Sequence, residues 1–79
     1  VLFRFCIFVQ AGAFSNYESA NTVRANLSAL GPTAVTTVDV NGRQLYRVRV
    51  GPIENSARAE TTLGMVIARG HTEARIIVD

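Results

Sequence analysis

The chain has 79 residues, 48% of them hydrophobic and 18% charged, with eight basic against six acidic side chains for a net charge of +2. That is about half of the ~150 residues used as a one-domain prior, and the composition excludes a disordered chain. A chain this short buries only ~60% of the surface its unfolded form exposes, so a shallow binding surface is expected rather than a deep enzyme pocket.

The longest apolar run, Cys6-Ile7-Phe8-Val9, falls far short of the ~20 residues of a membrane-spanning helix. All eight basic residues are arginine, and a net charge of +2 is too mild to imply nucleic acid by itself. Cys6 stands alone, which excludes an intrachain disulfide or a cysteine zinc site, and reads as a small core residue. No metal and no cofactor are expected. Residues 1–4 lack the small-residue cleavage site of a signal peptide and leave open a linker, a scar or the start of the first strand.

Phe5 to Phe14 reads as a strand, aromatic and β-branched with no breaker before Gly12. Ser15-Asn16-Tyr17-Glu18 then fits a Ser-x-x-Glu capping box. Ala20, Val23, Leu27 and Leu30 follow at spacings of three and four, the stripe of a helix that Gly31-Pro32 stops. Val35 to Val40 is a second strand. Asn41-Gly42 is the strongest short hairpin signal, because both residues accept positive φ. Gln44 to Val50 returns as the third strand, ended by Gly51-Pro52. Asn55 or Ser56 caps a second helix with the stripe Ala59, Leu63, Val66 and Ile67, weakened by ~1 kcal/mol at Gly64. Gly70 ends that helix, and Ala74 to Val78 is the last strand.

A shift of 39 residues superposes Val9 on Val48, Gly12 on Gly51, Asn16 on Asn55, Ala20 on Ala59 and Gly31 on Gly70. The chain is therefore two βαβ halves that must pack on each other. The expected fold is α+β, ferredoxin-like or RNP-like in the order βαββαβ, a single domain over residues 1–79. Right-handed crossovers set the first and third strands in the centre of a four-stranded antiparallel sheet, with both helices on one face.

Strand parity sorts the side chains. Tyr46, Val48 and Val50 go under the helices with Ile7, Val9 and Ala11. Leu45, Arg47, Arg49, Phe8 and Gln10 go to the uncovered face. That set suits a carbohydrate: an aromatic ring lies against the apolar side of a pyranose, Gln offers donor and acceptor, and Arg presents a rigid fork of donors to carboxylates. Nothing in it activates water or makes a nucleophile, so no catalytic residue is expected.

Phe8-Val9-Gln10-Ala11-Gly12-Ala13-Phe14-Ser15-Asn16 resembles the opening signature of SPOR domains, the sporulation-related repeat. Tyr46-Arg47-Val48-Arg49-Val50-Gly51-Pro52-Ile53 resembles their second signature, and the likeness runs from about Phe5 to Val78. The resemblance implies a non-catalytic module of the bacterial cell envelope, periplasmic and enriched at the division septum. Its implied partner is peptidoglycan glycan strands that lack stem peptides, with no nucleic acid, no membrane span and a monomeric state. It carries glycan binding onto Gln10 and Arg47. Leu45 stands where several members have an aromatic, and Ala13 where several have Ser. The hairpin and arginine-rich third strand also resemble the SPOR modules of septal lytic transglycosylases, whose catalytic barrel lies upstream.

The glycan-binding set is thus Phe8, Gln10, Ala13, Leu45, Arg47 and Arg49. Removing a stem peptide exposes a lactyl carboxylate, and Arg47 and Arg49, ~6.6 Å apart along a strand, are placed to pair with such groups. One alternative shares the architecture, and a second, a protein-interaction module, rests on an apolar patch. RNA-recognition domains need alternating aromatics on the third strand, where this chain has Arg47-Val48-Arg49-Val50. A dimerisation module would use Phe3, Phe5 and Phe8 as an apolar patch. His71 reads as a surface histidine, and Tyr17 as either a rim contact or an exposed helix-start residue.

Overall fold

The computed structural model describes residues 6–79. The readings placed on residues 1–5, including the patch formed with Phe3 and Phe5, lie outside the described residues. The element order is β1 (Ile7–Phe14), α1 (Tyr17–Leu27), β2 (Thr33–Val40), β3 (Arg43–Ile53), α2 (Ser56–Ala68) and β4 (Arg75–Val78), with a 3-10 turn at Ser28–Leu30 after α1. The sheet is antiparallel in the order β2-β3-β1-β4, which sets β1 and β3 in the centre. Both helices pack on one face, α1 over β2 and β3 and α2 mainly over β1 and β4.

Alternation drives the strands and the i, i+3, i+4 stripe drives the helices, and the two meet in one core. Val9, Ala11, Val48 and Val50 from the central strands are buried against Ala20 and Leu27 of α1 and Val66 of α2. Ile67, placed on the α2 stripe by sequence, is exposed instead, because Val66 beside it already fills the core-facing position.

The 39-residue repeat is visible in the packing. Asn16 and Asn55 are the two N-caps, Ala20 and Ala59 are both fully buried, and Gly31 and Gly70 both take positive φ where a helical segment ends. Gln10 and Arg49, also 39 apart, are Cα partners across β1 and β3, so the pseudo-twofold axis relating the halves passes between them.

Element boundaries shift by a residue or two, and three differences from the sequence reading change the local structure. Asn16 caps α1 rather than Ser15, its Oδ1 accepting from the backbone N–H of Glu18 at 2.7 Å and of Ser19 at 3.3 Å. Asn matches Ser as a cap, and position 16 begins the turn. β3 does not stop at Val50 but runs through Gly51-Pro52 to Ile53 as an irregularity in the ladder, where Gly51 takes φ 142 and its N–H donates to Pro32 O at 2.8 Å. The third is a β-bulge: Gln10 pairs with Arg49 but Gly12 with Val48, so β1 spends one extra residue there.

Candidate functional site

The bulge decides which residues share the uncovered face. Unbroken alternation would send Ala13 to the helix side with Val9 and Ala11. The extra residue turns it over, and Ala13 sits opposite Arg47, exposed. Phe8 and Gln10 on β1 and Leu45, Arg47 and Arg49 on β3 stand on the same side, with Gln10 directly across from Arg49. All six side chains chosen from sequence are therefore brought together on one face.

Arg49 is the most engaged of them. Its Nε–H donates to Gln10 Oε1 at 3.0 Å, its terminal nitrogen pairs with Asp79 Oδ2 at 3.0 Å, and its guanidinium carbon lies 5.6 Å from the centre of the Phe8 ring. These contacts leave its side chain 14% exposed, against 56% for Asp79. The Phe8 contact is a cation–π pair, which forms when a guanidinium lies within ~6 Å of a ring centroid.

Arg47 is the opposite case. Its Nε is buried, and among the described residues no acceptor reaches it. It is flanked by Ala13 on β1 and Thr36 on β2, neither of which is charged. A buried donor without a partner costs about 1–3 kcal/mol. Leu45, half-buried opposite Val38, continues the face as an apolar step.

Parity applied to β4 would have added two residues that sequence reasoning did not place. Ile77 pairs with Phe8 and Arg75 with Gln10, which extends the face beyond β1. Asp79 belongs to none of the sequence motifs, and the folded register brings it to Arg49. Arg43 precedes Arg47 and Arg49 at the same parity. The face therefore gathers Arg43, Arg47, Arg49 and Arg75 around one acid, Asp79.

Other expectations change. Cys6 is exposed at the start of β1, where its backbone pairs with Asp79, and is not a core residue. His71 is half-buried, its Nε2 enclosed without a partner among the described residues, beside Ala11 and Gly12 at the end of β1. Tyr17 is not on the rim of the open face. It stacks edge-on against Tyr46 on the helix side, with ring centres 5.6 Å apart and planes at 76°. A groove of about 590 Å³ lined by Leu30, Pro32, Val50, Arg58 and Met65 lies toward the helices, away from the polar cluster. Its lining also carries Glu54, Thr61 and Thr62. No helix of the described residues is long and apolar enough to cross a membrane.

Two packed layers, one of them a sheet with a bare, donor-rich side, define a βαββαβ domain of the RNP-like class with its candidate site residues on the central strands. The chain belongs to the SPOR domain family, whose model matches residues 7–72. A curated relative, the endolytic peptidoglycan transglycosylase RlpA of Pseudomonas aeruginosa, is 34% identical over 58 residues, which are 71% of this chain but 17% of that protein. Among solved structures, the SPOR domain of Pseudomonas aeruginosa RlpA matches with a TM-score of 0.83 at 27% identity, over 90% of this chain and 96% of that one. The C-terminal RNP domain of the divisome protein FtsN matches with a TM-score of 0.57 at 33% identity, over 96% and 94%. The peptidoglycan-binding domain of the B. subtilis cell wall lytic enzyme CwlC has a TM-score of 0.68 at 24% identity, over 100% and 95%, a likeness of fold.

Proposed function

We propose that this domain is a non-catalytic peptidoglycan-binding module that holds glycan strands stripped of stem peptides on the uncovered face of its sheet, in the periplasm at the division septum. The observation that carries the reading is the uncovered sheet face itself, where Phe8, Gln10, Arg47 and Arg49 share one side and, among the described residues, no acid pairs with Arg47. Stripping a stem peptide leaves a lactyl carboxylate on each muramic acid, and a guanidinium is the side chain best shaped to receive it. An intact stem removes that charge and obstructs a shallow face. The relatives support the envelope setting: one is a peptidoglycan transglycosylase and another a divisome protein. Attachment to such an enzyme is part of the proposal.

The test is a pull-down on isolated sacculi before and after amidase treatment. Retention rises after stripping and falls as salt is raised, since exposed charge pairs are screened. Arg47→Ala removes a charge-assisted contact of about 1.5–3 kcal/mol, which weakens binding by roughly 10- to 150-fold. Equal retention on untreated and stripped sacculi refutes the proposal.

A further inference from the structure

Resting on the glycan-binding reading, we propose that Arg49 is a positioning residue that fixes the Gln10 amide as a donor, so that the face selects ligands by their acceptor oxygens. Arginine has donors and no acceptor, so the Gln10 atom that meets Arg49 Nε at 3.0 Å must be the carbonyl oxygen. The amide orientation is thereby dictated by chemistry. With its oxygen committed to Arg49, Gln10 presents its NH₂ group to a ligand.

Arg49 is itself held on two further sides, by the Asp79 carboxylate and by the Phe8 ring. Its charge already has an internal partner, whereas Arg47 has none among the described residues. The two arginines therefore divide the work that the sequence assigned to both. Arg47 receives the ligand's anionic oxygen directly, and Arg49 acts through Gln10. The donors that Gln10 and Arg47 offer a ligand are N–H groups, while Asp79, 56% exposed with one oxygen on Arg49, stands at the β4 side of the cluster. Carboxylate and acetamido carbonyl oxygens match those donors.

The experiment has a ligand-free arm and a binding arm. In the intact domain, nitrogen–proton NMR reads the Arg49 Nε–H and the Gln10 side-chain NH₂ signals. A slowly exchanging Nε–H that speeds up in Gln10→Ala, with Gln10 NH₂ signals that shift in Arg49→Lys, supports the pairing. A fast-exchanging Nε–H indifferent to Gln10→Ala overturns it, whether or not any glycan binds.

In the binding arm, the probes are stripped glycan strands with free carboxylates and the same strands with those carboxylates reduced to alcohols. The wild type prefers the free carboxylates by about tenfold or more, the size of one charge-assisted hydrogen bond. Gln10→Glu abolishes that preference, because it places a carboxylate where the donor stood. Arg49→Lys lowers it in the wild-type background and has no further effect in Gln10→Ala, as expected of a residue acting through Gln10. Additive losses in the double variant overturn the positioning role and make Arg49 a ligand contact. Failure of the wild type to bind either strand overturns the glycan reading, while the NMR arm still decides the Arg49–Gln10 pairing. Melting curves of each variant separate these outcomes from unfolding.

Discussion

Replacing Gly51 by alanine tests how the second breaker of the chain is built into the sheet. Gly51 takes φ 142, a conformation that side-chain-bearing residues scarcely enter. A methyl group added there stands 2.8 Å from the carbonyl oxygen of Ile7 and 2.9 Å from Cδ1 of Phe8. The Phe8 ring can swing, but the Ile7 oxygen belongs to the backbone of a central strand and cannot yield without moving β1. Backbone strain of this kind costs about 1–3 kcal/mol, and overpacking adds about 1–3 kcal/mol more. The total stability of a 79-residue domain is roughly 4–12 kcal/mol. Gly51→Ala therefore removes a large fraction of it.

The assay is urea unfolding followed by far-ultraviolet circular dichroism. With a slope of about 1 kcal/mol per molar urea for a small domain, the midpoint falls by about 2 M or more. Because the new methyl also meets Phe8, any folded remainder shows a displaced ring and weakened glycan retention. A midpoint within about 0.5 M of wild type, with φ at position 51 unchanged, refutes the packing argument.

Two further substitutions probe the helices. Gly64 lies inside α2 with nothing within 4 Å of an added Cβ, so Gly64→Ala recovers about 1 kcal/mol of helix propensity. It raises the melting midpoint by about 4–8 °C, and an unchanged or lower midpoint contradicts this. Leu27 is among the largest fully buried side chains. Leu27→Ala costs about 2–5 kcal/mol in chemical denaturation, and a loss under 1 kcal/mol would mean the core collapses around the cavity.

Much of the fold was legible because period-2 and period-3.6 patterns record which side of each element meets the core. Val9, Val48 and Val50 declare themselves that way, and so do Ala20, Leu27 and Val66. What parity could not supply was the ladder irregularities. The bulge between Gln10 and Gly12 reverses the face of Ala13, and Gly12, which reads as a breaker, is equally the mark of a bulge inside a strand. Gly51-Pro52 reads as a stop because proline usually ends pairing, yet here the Gly51 N–H finds Pro32 O and β3 continues. The open face was half legible. Its central-strand residues follow from alternation, whereas Asp79 reaches Arg49 only through the β1–β4 register, a contact 30 residues apart in sequence.

The two halves diverge at the centre of the uncovered face. Several positions 39 apart that serve the core or the caps keep the same residue, as Val9 and Val48, Asn16 and Asn55, or Ala20 and Ala59 do, and the core pairs Ala11 and Val50 or Leu27 and Val66 stay apolar. Packing and helix termini make similar demands on both halves, so character is retained. The position on the pseudo-twofold axis faces outward and meets its own counterpart, Gln10 against Arg49. Identical residues there would serve badly. Two arginines directly opposite would repel, and two glutamines would carry no charge to anchor either amide. One of each gives a donor to a carbonyl at 3.0 Å, a cation for Asp79 and Phe8 to hold, and an NH₂ group whose direction is set. The symmetry that builds the platform is thus broken at its centre, and under the proposed glycan binding that break gives a two-fold scaffold a single direction along which an asymmetric polymer can lie.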